Sequence, residues 1–202
     1  MSRRCCILAL TVFSAATAAR ADSVVLDNAY VRVSRNAAPC AAAAPAGCGL
    51  RVLVALGPIE ISGKKPRTLA RGQIAVFPKG EAYATPKGEF LEVAFKPDHP
   101  RVEGPPVRIA PEKNELLYDD DALFVFEEKL LPGETRSRHS HAQRVVVVIN
   151  ETRLQQWPDG AAELLRPQVP DDVHFNQPVV HVVKNIGAQP LRNIVLELKP
   201  RR

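Results

Sequence analysis

The sequence predicts an all-β protein built from two similar units in tandem, and three observations carry that prediction. Short β-branched runs recur between turn signals, no stretch sustains a helical period, and the two halves of the chain match at a fixed offset. Asp27–Val33 (DNAYVRV) aligns with Asp120–Phe126 (DDALFVF), 93 residues further on. At the same offset Pro39 meets Pro132, and Arg51–Leu56 (RVLVAL) meets Arg144–Ile149 (RVVVVI). With small gaps Ala75–Phe77 meets Val173–Phe175, and Leu91–Pro97 meets Ile194–Pro200. Shared alternation alone does not produce matched Pro, Arg and Lys-Pro positions.

In chain order, the first unit offers strands at Val24–Val33, Leu50–Leu56, Glu60–Ser62, Gln73–Phe77 and Leu91–Lys96, each rich in Val, Ile, Leu or Phe. The second offers Ala122–Leu130, Val145–Asn150, Arg153–Gln156, Asp172–Phe175, His181–Asn185 and Asn193–Lys199. Gly57-Pro58, Ser62-Gly63-Lys64, Pro158-Asp159-Gly160 and Ile186-Gly187-Ala188 mark turns. Between the units, Pro100, Pro105, Pro106 and Pro111 punctuate a stretch without apolar periodicity, which reads as a semi-rigid connector. An apolar fraction of 46% supplies a packed core, while 5% aromatics and 18 prolines suit short strands and many turns.

The first residues read as a leader rather than as part of the fold. Arg3 and Arg4 precede an apolar run from Cys5 to Ala19, and Ala19-Arg20-Ala21 resembles a cleavage site before Asp22. The run is short and rich in Ala, Ser and Thr for a membrane span, and a retained anchor is the alternative. Loss of residues 1–21 removes Arg3, Arg4 and Arg20 and no acid, taking the net charge from +5 to +2. With basic side chains scattered among acids, this is not the balance of a nucleic-acid-binding chain. A periplasmic or secreted location makes a Cys40–Cys48 disulfide reasonable, two buried free thiols being the other reading.

Five histidines are present, and three have an arrangement that suggests chemistry. His139 and His141 are two apart, so in an extended chain both rings point to one side. His181 lies in a second β-branched run, PVVHVVKN. Imidazole suits zinc, copper, iron and nickel, and two ligands from one strand with one from another make a three-nitrogen site with open positions. A polar patch at a strand start is the competing reading. His174, flanked by Val173 and Phe175, is expected to face outward, with a place beside the site, next to a ligand, as the alternative, and His99 to be solvated in the connector. Gln143 and Arg144 follow the pair closely; Arg144 could meet a substrate carboxylate, or serve structure as Arg51 does in the other copy. Asp119–Asp121 lacks the spacing of a calcium loop. No nucleophile elbow, phosphate loop or dinucleotide fingerprint is present.

These residues resemble the cupin family. Its first motif, Gly-x5-His-x-His followed by Glu and Gly, is similar to Gly133 through His141, and its second ends in His-x3-Asn, as His181 to Asn185 does. The glutamate position falls on Val145 or Val146, and the Pro-x-Gly before the last histidine is degenerate around Pro178. The resemblance implies two tandem double-stranded β-helix barrels of jelly-roll type: an N-terminal barrel over 22–97, a connector at 98–111, and a C-terminal barrel over 112–202. It implies a mononuclear divalent transition metal (Fe, Zn, Mn, Ni or Cu) on His139, His141 and His181. At the 93-residue offset these positions meet Ala46, Cys48 and, through a gap, Tyr83, so the first copy has no ligands. The implied function is an exported metal-binding protein, an oxygenase, isomerase or related metalloenzyme acting on a small polar molecule, with three-histidine dioxygenases as the nearest enzymatic analogy. A non-catalytic periplasmic ligand-binding or accessory module is the other class. A small-molecule partner is expected, nucleic acid and stable membrane insertion after cleavage are not, and a homodimer is left open.

Overall fold

The computed structural model describes residues 23–37, 48–63, 66–105, 107–110 and 114–200, and these contain sixteen strands and no helix. The leader, Ala46 and Cys40 lie outside the described residues. The first seven strands are β1 (Ser23–Asp27), β2 (Val31–Arg35), β3 (Arg51–Ala55), β4 (Ile59–Ile61), β5 (Arg67–Leu69), β6 (Ile74–Phe77) and β7 (Phe90–Phe95). The remaining nine are β8 (Asn114–Asp119), β9 (Leu123–Leu130), β10 (Thr135–His141), β11 (Arg144–Val148), β12 (Thr152–Pro158), β13 (Leu164–Gln168), β14 (Val173–Asn176), β15 (Val179–Asn185) and β16 (Leu191–Leu198).

One five-stranded sheet runs β1-β2-β7-β3-β6 and a second runs β8-β9-β16-β11-β14. The strands of the two sheets correspond one to one in this order. Behind the first lies the β4-β5 ribbon, and opposite the second lies a four-stranded sheet, β10-β15-β12-β13. The sheets are open, since no ladder closes on itself.

Registry fixes the correspondence residue by residue. Arg51 stands beside Ala94 and Phe77, and Arg144 beside Glu197 and Asn176. At the first strand the offset is 92 rather than 93. Asn28 Oδ1 accepts from Tyr30 N and Val31 N, and Asp120 Oδ1 accepts from Ala122 N and Leu123 N, so the two side chains cap equivalent turns. Each turn also carries a lysine–aspartate pair, Lys96 to Asp27 and Lys199 to Asp119. These turns divide what periodicity alone reads as one strand over Val24–Val33 into β1 and β2.

The run Arg144–Ile149 is apolar at almost every position because it is covered on both sides. Val145, Val147 and Ile149 face Val31, Val52, Val54, Leu91 and Val93 of the first half, in one core shared by the two five-stranded sheets. Val146 faces the other way, with Phe126 and Val195, into the space beneath the four-stranded sheet. The connector is docked rather than free. Val102 is buried in the shared core, Glu103 N donates to Gln143 Oε1, and Ile109 exchanges hydrogen bonds with Ser140.

Candidate metal centre

β10 and β15 are antiparallel neighbours in which His139 lies directly opposite His181 and His141 opposite Val179. The residues around this pair explain the alignment. Gly133, at φ +79°, makes the turn into β10 and donates its N–H to Asn185 O at 2.8 Å. Asn185, wholly buried, accepts through Oδ1 from Thr152 Oγ and Gly187 N and donates through Nδ2 to Leu130 O and Gln189 O. One side chain thus ties the ends of β9, β12 and β15 together and holds His181 in depth.

His139, His141 and His181 are all buried, with their ligand atoms within 4.8 Å of one another. His139 Nε2 and His181 Nε2 are 3.1 Å apart. An ion bound at 2.0–2.1 Å separates neighbouring ligand nitrogens by about 2.9–3.4 Å, depending on coordination number. The donor set therefore fits a first-row divalent metal. His139 Nδ1 lies 2.8 Å from Ser137 O, and His141 Nδ1 lies 2.9 Å from Glu197 Oε2. Both partners accept, so Nδ1 carries the proton in each ring and Nε2 presents its lone pair to the cluster. Burial holds all three imidazoles below their ordinary pKa, His141 well below and His181 down to about 2. Neighbouring Arg144 and Arg136 add to the effect. The rings are neutral at physiological pH, the form that ligates.

Beside the cluster lies a cavity of about 40 Å³, lined in part by His141, His181, Arg144, His174, Glu128 and Asn193. That is room for about three waters. Arg144 is buried and donates to Ala142 O and Gln177 O; burial brings its pKa down to about 10. Glu197 is pushed up by burial, against the N–H of Ala142 and the charge of Arg144. Burial also pushes Glu128 up, but the charge of Arg136, with the hydrogen bond from Asn193, holds its carboxyl below the ordinary value. Arg136, 2% exposed, meets Glu128 Oε1 at 2.8 Å.

Several expectations need correction. His174 faces inward and lines the cavity. Val173 and Phe175 do face a core, but it is the core shared between the two sheets, so the residue between them faces the other one. Gln143 does not line the cavity. The chain crosses there from β10 in one sheet to β11 in the other, which interrupts the alternation, and its amide binds the connector. His99 is half-buried and stacked on Tyr30 with centroids 5.8 Å apart. Tyr83 is buried against Phe77 and donates to Glu92, which also lies 3.4 Å from Arg51. Cys48 is buried.

Glu128, Glu197 and Arg136 were missed by the motif reading. Glu128 and Glu197 had a signal: each is an acid two residues from an apolar residue of the inner face, Phe126 and Val195, on the same side of its strand. Arg136 had none. Counting by twos from His139 makes Ser137 inward and Arg136 outward, but the register shifts between Arg136 and His139. The bulge brings Arg136 round to the buried side.

The first half builds a different interior. Registry sets Ala75 where the second half has His174, Phe77 where it has Asn176, and Leu53 where it has Val146, one residue on from the sequence match of Ala75–Phe77 with Val173–Phe175. The side chains there form an apolar cluster with Ile59, Ile61, Leu69 and Phe90. Among the described residues no second group of three metal-ligating side chains converges.

No family model matches the chain, and no curated protein matches it by sequence. Solved structures do. A cupin 2 conserved barrel domain protein from Leptotrichia buccalis superposes with a TM-score of 0.55 at 14% identity, covering 89% of this chain and 88% of that one. Oxalate decarboxylase from Bacillus subtilis gives 0.52 at 13% identity, over 85% and 69%. AerE from Microcystis aeruginosa gives 0.51 at 11% identity, over 83% and 86%. The likeness establishes the fold: this is an all-β protein of cupin architecture. Its second half carries a buried three-histidine cluster.

Proposed function

We propose that the chain is an exported two-barrel cupin metalloprotein whose C-terminal half holds one divalent transition metal on His139, His141 and His181. The observation that carries this reading is the convergence of three buried imidazoles, with His139 and His141 hydrogen-bonded at Nδ1 so that Nε2 is free to ligate. A bound divalent ion would supply Lewis acidity toward an oxygen of a small polar ligand. The chain's own part is to keep the rings neutral, fix the ring of His141 through Glu197, and wall a cavity of about 40 Å³ beside the cluster. Arg144 orients a ligand from the cavity wall, and the apolar first half serves as scaffold through the shared core.

A second reading, a binding or accessory module without turnover, is favoured by the cavity itself, which leaves little volume for a co-substrate beside a ligand. The test is metal analysis of protein purified from the periplasm, followed by oxygen-uptake and product assays with small polar molecules. Stoichiometric metal with substrate-dependent turnover supports an enzyme, and metal with saturable binding but no turnover supports the module. Protein that neither carries nor takes up a divalent ion overturns the proposal.

A further inference from the structure

Glu197 has two sides. One is hydrogen-bonded to His141 and Ala142, and the other opens on a cleft between the connector and the end of β16. The cleft measures about 480 Å³, against about 40 Å³ for the cavity beside the histidines, and the two share no lining residue. Ile109, Phe124 and Leu198 give it an apolar wall. Most of its polar groups are already engaged. Ser140 Oγ donates to Ile109 O and accepts from Ile109 N, while Lys199 Nζ is held by Asp119 and by Asp120 O. Two groups are still available. Arg108 is exposed on the connector, with no hydrogen-bond or ion-pair partner among the described residues. Glu197, its side chain 19% exposed, accepts one hydrogen bond at each oxygen, and a carboxylate oxygen has capacity for a second. Arg108 is near enough for its charge to act on the Glu197 carboxyl. The cleft thus sets a cation and a carboxylate beside an apolar surface.

We infer that this cleft is a second ligand site, and that it takes a free amino acid with a large apolar side chain. The carboxylate of the ligand pairs with Arg108, its ammonium donates to Glu197, and its side chain lies on Phe124 and Ile109. The volume suits a small organic molecule. An apolar acid without the amine brings a second carboxylate toward Glu197, and an apolar amine leaves Arg108 unanswered. The site lies on the far side of Glu197 from His141, so a ligand reaches it without entering the barrel interior.

The test is isothermal titration calorimetry on the full chain freed of metal by a chelator, so that the amino acid meets no ion to chelate. Phenylalanine is compared with hydrocinnamate, which lacks the ammonium, with phenethylamine, which lacks the carboxylate, and with glycine, which lacks the side chain. Phenylalanine is expected to bind saturably, and each of the others about tenfold more weakly or worse. Arg108→Gln should weaken phenylalanine by about tenfold or more and leave phenethylamine unchanged, because that amine has no carboxylate to lose. Arg108→Lys should keep part of the affinity. Circular dichroism checks that both variants retain the fold. No binding of phenylalanine by folded wild type overturns the inference. So does hydrocinnamate that binds as tightly, or an Arg108→Gln variant that binds phenylalanine unchanged. Each of these leaves the metal reading intact, since no arm contains a metal.

Discussion

Glu197 Oε2 lies 2.9 Å from His141 Nδ1, across from β10 on a strand that belongs to the opposite sheet. The same carboxylate accepts from Ala142 N through Oε1, so it fixes both the ring and the backbone at the end of β10. A carboxylate behind a ligating imidazole sets its tautomer and raises its basicity. Glu197→Gln loses the charge and keeps one acceptor oxygen for the two donors, His141 Nδ1 and Ala142 N, so one of the two hydrogen bonds is lost with it. Metal affinity is expected to fall by about 10- to 100-fold with little change in fold. Competition with a chromogenic chelator measures this, and unchanged affinity would deny Glu197 the role.

Arg136 and Glu128 form a buried pair, and the two changes that disrupt it should behave differently. Removing one partner strands the other, which costs about 3–5 kcal/mol. Arg136→Met alone should lower stability by about that amount in urea unfolding. Arg136→Met with Glu128→Leu together should recover much of it, because no buried charge is left unpaired. Equal losses in the single and double variants would mean that packing, not charge, is at stake.

The buried histidines make the metal-free protein sensitive to acid. Their folded pKa values lie below the unfolded value of about 6.5, so below that pH the unfolded chain binds more protons than the folded one. Stability is therefore fully present above pH ~6.5 and is lost as pH falls, by up to about 1.4 kcal/mol per histidine per pH unit. Glu197, pushed up by burial, opposes this near the ordinary carboxylate range, but it is one group against three. Urea midpoints of the metal-free protein at pH 7.5 and pH 5 should differ clearly, and a His139, His141, His181 triple Ala variant should show a much smaller difference. A wild-type midpoint that does not fall on acidification contradicts the assignment of neutral, buried rings.

Export and the disulfide are tested together on protein recovered from the periplasm. Mass spectrometry is expected to show Asp22 as the first residue, and thiol titration under denaturing conditions to find none free. A Cys40–Cys48 bond closes a short loop, worth on the order of 2–3 kcal/mol. An intact N-terminus on cytoplasmic protein, or two reactive thiols, contradicts this part of the proposal.

How much was legible in the sequence follows from what each signal depends on. Strand positions with both faces covered, such as Val145–Val148, announce themselves by composition. The His139-x-His141 spacing survives because β10 is regular beyond its bulge. His174 was misjudged because alternation says which residues share a face and not which of two cores that face meets. Arg136 was invisible because one extra residue in β10 inverts the count. Strands β5, β8, β10 and β13 were missed because RTL, NELLYD, TRSRHSH and LLRPQ carry little β-branched character and lie at sheet edges. Composition says less there than the neighbouring strand does.

The most direct test of the central claim is the metal stoichiometry of the wild-type chain and two single variants after dialysis against a divalent ion and removal of excess. Wild type and Tyr83→Phe should each retain one equivalent, since Tyr83 packs in the apolar interior of the first half. His181→Ala should retain none, with a far-ultraviolet circular dichroism spectrum matching wild type, because the core is built from Val, Ile and Leu. One equivalent retained by His181→Ala, or none by the folded wild type, would contradict a metal centre on His139, His141 and His181.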